Sequence, residues 1–234
     1  MSIHLGNVTR RFSGRDVLER ISLDVPAGEF VALIGRSGSG KTTLLRAIAG
    51  LDDGVEGSGE IEVPDNRSVL FQDSRLLPWL QILPNITLGL HAPDADQRGR
   101  AALADVGLDG REKAWPNQLS GGEQQRAALA RSLVRHPALL LADEPFGALD
   151  AMTRLRMHAL LFRLLERYAP TVLLITHDVD EALALADRIW VMEHGRIILD
   201  RPVAMPHPRR KSVGQYDALR SEMLSALGVE AEAA

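Results

Sequence analysis

The sequence contains no cysteine, no long hydrophobic run and no excess of basic residues. Without cysteine, disulfides, thiolate zinc sites and a cysteine nucleophile are excluded. Lys and Arg total 27 against 31 for Asp and Glu, and this net charge of -4 argues against a dedicated nucleic-acid-binding protein. The apolar runs reach about five residues, whereas a membrane-spanning helix needs about 18, and residues 1–5 do not open a signal peptide. Composition therefore predicts a soluble, cytoplasmic, globular chain.

Short apolar runs alternate with longer segments of helical periodicity along the chain. The runs are almost continuously hydrophobic, as in strands that are covered on both faces, and they lie at residues 30–34, 138–142 and 171–175. The helical segments lie at residues 42–50, 123–135 and 153–168. Strands that alternate with helices predict an α/β fold with a parallel sheet.

Other parts of the chain differ from this alternation. Residues 1–30 and 59–71 carry short β-like pieces broken by glycine, proline and asparagine, which predicts an antiparallel lobe beside the parallel sheet. Residues 80–135 contain no convincing strand, so we expect a mostly helical insertion. Near the end, the basic cluster at 209–211 is expected to be a solvated tail, because a short basic run binds anionic lipid weakly. A short amphipathic stretch at 216–227 closes the chain.

The segment between the first buried strand and the first helix has the spacing of a phosphate-binding loop. It reads G-x-x-x-x-G-K-T and has the strand and helix on either side that this pattern requires. Its glycines let backbone N–H groups point inward, and the helix adds the positive end of its dipole. Lys41 would reach the β- and γ-phosphates, and the Thr42 hydroxyl would ligate Mg²⁺. The predicted nucleotide-binding residues are Gly35, Arg36, Ser37, Gly38, Ser39, Gly40, Lys41, Thr42 and Thr43.

An acidic pair follows the buried strand at 138–142. Asp143 ends that strand and would hold Mg²⁺ through water, as the second acidic element of P-loop NTPases does. Glu144 would polarise the water that attacks the γ-phosphate. A charged turn that ends a core strand is the alternative, but phosphoryl transfer needs this second element once the phosphate loop is present.

The segment LSGGEQQR at residues 119–126 predicts a second phosphate-binding helix terminus. Ser120 is a favourable N-cap, and Gly121 and Gly122 leave backbone N–H groups accessible at the start of the helix. One nucleotide hardly needs two such termini from the same chain. We therefore expect a homodimer in which the second terminus of each chain closes over its partner's nucleotide. A Ser-capped helix without further meaning is the alternative for S-G-G alone.

With these motifs, and LSGGEQQR above all, the sequence resembles the ATP-binding subunits of ATP-binding cassette (ABC) transporters over residues 3–200. The resemblance implies an ATPase that uses ATP and Mg²⁺, built on a P-loop NTPase fold with a RecA-like parallel core. A single nucleotide-binding domain would comprise the core and the antiparallel β lobe (1–79 and 138–200), an inserted helical signature subdomain (80–137) and a short tail (201–234). The residues implied to contact the partner chain's ATP are Ser120, Gly121, Gly122 and Glu123.

The resemblance also gives roles to residues that would have ordinary explanations if they stood alone. Gln72 matches the Q-loop glutamine, which senses Mg²⁺ and the attacking water, and Asp150 matches the D-loop aspartate at the dimer interface. His177 matches the switch histidine that contacts the γ-phosphate. Phe12 lies where the family places an adenine-stacking aromatic, usually tyrosine, and Val17 would pack beside the base. The implied catalytic set is Lys41, Gln72, Glu144 and His177, and the implied Mg²⁺ ligands are Thr42, Gln72 and Asp143.

The segment that follows Gln72 suggests a membrane partner. Leu76, Leu77 and Trp79 place large apolar side chains in an expected loop, although such side chains are usually buried. They form either a core-facing turn or a grip on a partner helix, and the family's permease coupling helix docks in this region. The implied assembly is a homodimer of these subunits with two integral-membrane permease subunits and, indirectly, a periplasmic or extracellular solute-binding protein. It would lie at the cytoplasmic face of the cell membrane.

The segment FQDSRLLPW resembles the import ATPases for sulfonates, taurine and nitrate, most of all the aliphatic-sulfonate type. This resemblance implies that ATP hydrolysis drives the uptake of a small anion. A soluble ABC ATPase that acts outside transport is the alternative, but the translation and repair types have tandem cassettes or long coiled-coil insertions, and this sequence has neither. A non-hydrolysing binding module conflicts with the presence of Lys41, Asp143, Glu144 and His177.

Overall fold

The computed structural model describes residues 3–207, 209 and 214–229, and its chain divides into a first unit, Met1–Asp65 with Thr171–Ala234, and a second unit, 66–170. In chain order the strands are β1 (Ile3–Phe12), β2 (Arg15–Val25), β3 (Phe30–Gly35), β4 (Glu56–Glu62), β5 (Arg67–Leu70), β6 (Leu139–Asp143), β7 (Thr171–Ile175), β8 (Arg188–Glu193) and β9 (Arg196–Pro202). The α-helices are α1 (Lys41–Ala49), α2 (Ile82–Ile86), α3 (Ala95–Asp105), α4 (Gly121–Leu133), α5 (Ala151–Tyr168), α6 (Val179–Leu185) and α7 (Gly214–Ala226).

The core of the first unit is a sheet in which β3 lies between β7 and β8 and runs parallel to both. Every residue of β3 and β7 is buried, which fits the uninterrupted hydrophobic runs and the two-sided covering expected from them. Strand β9 adds an antiparallel edge to β8. Helices α1 and α6 pack on this sheet through contacts with β3. The predicted α/β fold with a parallel sheet is confirmed.

A separate antiparallel sheet in the first unit has the strand order β2-β1-β4. It confirms the antiparallel lobe predicted from residues 1–30 and from the first part of 59–71. The expectation is wrong for the last part of that segment, since β5 pairs in parallel with β6 in the second unit. Four residues give too short a pattern to separate a parallel from an antiparallel strand.

The second unit places helices around the short parallel pair β5 and β6. Residues 80–135, all of which are described, contain α2, α3, a 3₁₀ turn at Pro116–Gln118 and α4, and no strand. Helix α4 packs against α2 and α3 through a side that includes the buried Ala128, Leu129 and Ser132. The helical character expected for this stretch is confirmed, while the domain boundaries predicted at residues 79, 137 and 200 stay predictions.

The C-terminal segment differs from the expected solvated tail. Arg210 and Lys211 of the basic cluster lie outside the described residues, but the Arg209 side chain is only 1% exposed. Helix α7 covers the amphipathic stretch and buries Tyr216, Leu219 and Met223. The expectation of a solvated cluster is therefore wrong for Arg209, whose guanidinium satisfies backbone carbonyls rather than water. Among the described residues, no helix has the length and apolar content that crossing a membrane requires.

Candidate nucleotide site

The predicted phosphate loop connects the carboxyl end of β3 to the start of α1, as the sequence pattern requires. The glycines at its two ends have no room for a side chain. A Cβ on Gly35 would lie 2.4 Å from the Met192 carbonyl oxygen, and one on Gly40 would lie 2.8 Å from the Val17 carbonyl oxygen. Gly40 also has φ of 107°, a conformation that side chains rarely adopt. The loop is therefore wedged between β2 and β8, which fixes its path.

Lys41 and Ser39 give this loop the character of an anion site. The Lys41 ammonium donates hydrogen bonds to the carbonyl oxygens of Gly35 (2.8 Å) and Arg36 (3.0 Å), so its charge is held inside the curve of the loop. Ser39 is buried, and its Oγ has no hydrogen-bond partner among the described residues. A cavity of about 190 Å³ opens on the loop, lined by Arg36, Ser37, Gly38, Ser39, Glu193 and His194. A buried hydroxyl without a partner beside a lysine fits the phosphates of a nucleotide.

The β1–β2 hairpin carries the two residues predicted to contact the base. Its tip, Ser13 and Gly14, has positive φ at both positions, as in the tight turns that favour hairpins. Phe12, just before the turn, keeps 43% of its surface exposed although it is aromatic. Val17 is half-buried, and the contact between its backbone and Gly40 places the hairpin beside the phosphate loop. This position suits an aromatic ring that stacks on a base.

His177 lies at the same edge of the sheet as the phosphate loop. Strands β3 and β7 are parallel with Leu33 opposite Ile175, so their carboxyl ends are adjacent. The Thr176 N–H donates to the Leu33 carbonyl (3.2 Å), and the exposed His177 follows directly. The carboxyl ends of parallel strands are where ligands bind in such sheets. The first unit thus brings together the phosphate loop, the hairpin and His177.

In the second unit, the acidic pair lies at the carboxyl end of β6. Asp143 is the last residue of the strand, and Glu144 follows with φ of 45°, in the left-handed region. A residue other than glycine is strained there by about 1–2 kcal/mol. Such strain occurs often at functional sites, where the chemistry of the side chain matters more than its cost.

Ser120 and Glu123 form a capping box at the start of α4. Ser120 Oγ accepts from the Glu123 N–H at 3.3 Å, and Glu123 Oε2 accepts from the Ser120 N–H at 2.9 Å and from its hydroxyl at 2.8 Å. The hydrogen bond from the Ser120 backbone N–H lowers the pKa of the Glu123 carboxyl most, and the bond from the Ser120 hydroxyl lowers it further. The predicted N-cap is confirmed. A Cβ on Gly121 would meet nothing within 4 Å, so the first turn of this helix is open on that side.

Asp150 caps α5 within its own chain. Its carboxylate accepts hydrogen bonds from the backbone N–H groups of Met152 (3.1 Å) and Thr153 (3.0 Å). The hydrogen bond from the Thr153 side chain lowers the pKa of Asp150 most, and the bond from the Thr153 backbone N–H lowers it further. The family resemblance implied only an interface role for this residue. An aspartate directly before a helix is also a favourable N-cap, and this is the signal that identifies the second role.

Three predicted motifs share one cavity in the second unit. Its volume is about 280 Å³, and its lining residues are Gln72, Asp73, Ser74, Gly121, Gln124, Gln125, Pro145, Ala148 and Leu149. The Q-loop, the signature helix and the start of the D-loop (148–150) thus face a common space. Gln125 links two of them, since its amide donates to the carbonyl oxygens of Phe71 (3.1 Å) and Pro145 (2.8 Å). The sequence does not identify this role, because Gln124 and Gln125 are adjacent residues of the same type and the sequence does not indicate which of them is buried.

The segment proposed to contact a membrane partner is only partly exposed. Trp79 keeps 68% of its surface exposed and Leu77 is half-buried, but Leu76 is only 8% exposed, so the expectation that it is available to a partner is wrong. Asn85, fully buried, holds the turn: its Oδ1 accepts from the Leu77 N–H at 2.7 Å and its amide donates to the Leu77 carbonyl at 3.1 Å. Sequence reasoning missed Asn85, although a polar residue within an apolar stretch is a signal for such a role.

The whole chain has relatives of known family. The ABC transporter family model matches residues 18–147. An aliphatic sulfonates import ATP-binding protein, SsuB 2, of Rhizobium johnstonii is 60% identical over 229 residues, covering 98% of this chain and 92% of that one. A protein of the same name from Nocardia farcinica is 63% identical, covering 94% of this chain and 92% of its own. The chain belongs to the ABC transporter family.

Solved structures of ABC cassettes agree with this membership. The dimeric bacterial cassette MJ0796 is 31% identical and superposes with a TM-score of 0.73 over 87% of this chain and 100% of its own. The cassette cbiO1 of Clostridium perfringens, at 23% identity and a TM-score of 0.79, shows the same fold over 95% of this chain and 92% of its own. For this ABC cassette, the predicted family, the P-loop fold and the ATPase class are confirmed.

Proposed function

We propose that this ABC cassette is the ATP-hydrolysing subunit of an importer for aliphatic sulfonates or a related small anion. One observation carries the nucleotide part: the phosphate loop holds the charge of Lys41 inside its curve, beside the buried and unpartnered Ser39 hydroxyl. The cargo rests on relatives named as aliphatic sulfonates import ATP-binding proteins at about 60% identity over almost the whole chain.

ATP would bind with its base against Phe12 and Val17 and its phosphates in the loop from Gly35 to Thr43. The backbone N–H groups of the loop and the start of α1 offer positive potential, and Lys41 adds a full charge. The Thr42 hydroxyl, Asp143 and Gln72, which the family resemblance implies as Mg²⁺ ligands, would supply oxygen atoms of the kind that this ion prefers, and the ion would keep several waters. When bound, Mg²⁺ would neutralise charge on the β- and γ-phosphates.

Hydrolysis would depend on three side chains. Glu144 would orient the attacking water and accept its proton, and Gln72 would help to place that water. His177 would donate a hydrogen bond to the γ-phosphate as charge moves onto its oxygens. Because phosphoryl transfer needs little covalent chemistry from the protein, these residues act by positioning and electrostatics.

Two cassettes would close face to face on ATP. Ser120, Gly121 and Gly122 of one chain would cap the γ-phosphate held by the partner, with Glu123 fixing the turn and Asp150 lying across the interface. Support comes from the open first turn of α4 and from the 31% identical cassette, which is dimeric. Loss of phosphate would remove the negative charge that joins the chains and reopen the dimer.

Two integral-membrane permease subunits would anchor the dimer at the cytoplasmic face of the cell membrane, with a solute-binding protein delivering cargo from outside. The exposed Trp79 and the half-buried Leu77 would receive a helix of the permease, since a large exposed aromatic is a frequent anchor of protein interfaces. Trp79→Ala should abolish co-purification with the permease and leave the ATPase rate of the isolated chain unchanged. Ile198→Ala, which removes an exposed apolar side chain in β9, is the matched control and should retain the permease.

The cargo is tested in liposomes that contain the cassette, its permease and the solute-binding protein. ATP turnover should rise when the binding protein carries ethanesulfonate and rise much less with taurine or nitrate. Stimulation by nitrate alone or by taurine alone would overturn the assignment to unsubstituted alkanesulfonates and assign that solute as the cargo. Recovery of the tagged cassette with ribosomes and without a permease would favour the soluble, non-transport ABC ATPase instead.

A further inference from the structure

Helix α6 begins two residues after His177, and the C-terminal segment of the chain holds both of its ends. The helix has only seven residues, too few to be stable without tertiary contacts. Its start is fixed locally by Asp178, whose Oδ1 accepts from the N–H groups of Asp180 (2.9 Å) and Glu181 (3.1 Å). Its apolar residues pack on the sheet through β3. His177 lies between the end of β7, which the Thr176 N–H bond to Leu33 anchors, and this short helix, so the position of the helix sets the backbone on the far side of the histidine.

The first turn of α6 is tied to α7 through one carboxylate. Asp180 Oδ1 accepts a hydrogen bond from the Tyr216 hydroxyl at 2.9 Å and another from Arg220 Nε at 3.1 Å. Tyr216 is 1% exposed, and burial together with Asp180 raises its pKa, so the phenol remains a donor. Both donors come from successive turns of α7, so this helix and the first turn of α6 are joined in a fixed register.

The last turn of α6 is held by Arg209. Its guanidinium donates to the carbonyl oxygens of Leu183 (3.1 Å) and Ala186, which are among the carbonyls that a helix end leaves unsatisfied. The same side chain reaches the Asp187 carboxylate at 3.3 Å and the Met205 carbonyl at 3.0 Å. Few side chains other than arginine have enough donors for this set of acceptors.

We propose that the described part of the C-terminal segment, residues 203–207, 209 and 214–229, is a positioning element for His177. The segment fixes α6 at both ends and thereby sets the place from which the histidine reaches the γ-phosphate. The proposal rests on the catalytic role assigned to His177. Tyr216, Arg220 and Arg209 are positioning residues, since they act through α6 and touch no substrate.

Two substitutions at the first turn of α6 test the proposal in the full-length chain. Tyr216→Phe keeps the buried ring and removes the hydroxyl, and Arg220→Gln removes the second donor to Asp180. Each should lower kcat about ten- to a hundredfold, the range that corresponds to one hydrogen bond to a charged group, with KM for ATP within about twofold of wild type. In each variant, the imidazole NMR signals of His177, assigned by their loss in His177→Ala, should shift.

The matched control is Glu222→Gln. Glu222 accepts from Arg201 at 3.2 Å, a contact that joins α7 to β9 rather than to α6. This variant should retain wild-type kcat and an unshifted His177 signal, even if its melting temperature falls as far as that of Tyr216→Phe. Arg209→Lys offers an independent test at the other end of α6, and it should lower kcat without raising KM.

The outcomes separate this proposal from the one on which it rests. If His177→Ala hydrolyses ATP normally, the catalytic role of the histidine is wrong. If His177→Ala loses activity while Tyr216→Phe and Arg220→Gln retain wild-type kcat and His177 signals, only the positioning role of the C-terminal segment is overturned. If Tyr216→Phe and Arg220→Gln lower the melting temperature but leave kcat unchanged, the segment contributes only to stability, and the proposal is overturned.

Discussion

The side-chain amide of Gln125 donates a 2.8 Å hydrogen bond to the carbonyl oxygen of Pro145, the residue directly after Glu144. The same amide donates to the carbonyl oxygen of Phe71 at 3.1 Å, directly before Gln72. Gln125 is only 4% exposed, so its side chain is largely shielded from bulk water. One buried side chain of the signature helix thus fixes the backbone beside two residues proposed to place the attacking water.

Replacing Gln125 by leucine should separate catalysis from nucleotide binding. The variant leaves one buried and one partly buried carbonyl without this donor, which costs about 1–3 kcal/mol of stability. We expect kcat to fall about tenfold, with KM for ATP changed by less than about twofold, because the phosphate loop is untouched. The matched control is Gln118→Leu, since the exposed Gln118 accepts from the Trp115 N–H within its own turn. Equal kcat values for the two variants would contradict the positioning role of Gln125.

The backbone of Glu144 leads to a prediction about stability. Because Glu144 has φ of 45°, the free energy of unfolding of Glu144→Gly should exceed that of Glu144→Ala by about 1 kcal/mol, although both variants lose hydrolysis. Urea unfolding of Glu144→Gly and Glu144→Ala measures the difference. Glu166, an exposed residue inside α5, is the control, because glycine there should instead be less stable than alanine by about 1 kcal/mol. The same sign at both positions would contradict strain at Glu144.

Two glycines of the phosphate loop should respond differently to alanine. Gly38 and Gly40 both have positive φ, but a Cβ on Gly38 would meet nothing within 4 Å, whereas one on Gly40 would lie 2.8 Å from the Val17 carbonyl oxygen. Without nucleotide, Gly40→Ala should therefore be less stable than Gly38→Ala by about 1–3 kcal/mol, the usual cost of overpacking. Equal unfolding free energies would show that β2 does not press on the loop.

The capping box at α4 predicts a dependence on pH. The folded chain holds the pKa of Glu123 below its ordinary value, so the carboxylate contributes stability above that ordinary value, and this contribution is lost as the pH falls through the lowered pKa. The free energy of unfolding should therefore fall less between pH 7 and pH 3 in Glu123→Gln than in the wild type. A Glu123→Gln curve parallel to the wild type would contradict the contribution of the box.

Much of the fold could be predicted because its signals are local and strong. The apolar runs of β3, β6 and β7 have no polar interruption, and the loop from Gly35 to Lys41 requires a strand before it and a helix after it. The pairing of β5 was missed, since four residues do not reveal which neighbour they will choose. Strand pairing is decided by contacts between residues that are distant in sequence, and such contacts produce no periodic pattern within the strand itself.

The residues that carry a motif were found, whereas the residues that support them were not. Gln125, Asn85 and Arg209 act by donating hydrogen bonds to backbone carbonyls. Every residue has such a carbonyl, so the sequence does not indicate which of them will need a side-chain donor. For Arg209 the sequence predicted solvent exposure, because the residue belongs to a basic cluster in a proline-containing tail, whereas its side chain is buried. Its burial depends on carbonyls that become available only once α6 has ended beside it.

The central claim is that ATP joins two cassettes and that Glu144 is needed to hydrolyse it and part them. The most direct measurement is light scattering of Glu144→Gln, with ATP and then with ADP, alongside its ATPase rate. We predict a species of twice the 25.6 kDa chain mass with ATP, a single chain with ADP, and turnover reduced roughly a hundredfold or more. A variant that hydrolyses ATP at the wild-type rate, or that stays a single chain with ATP, would contradict the claim.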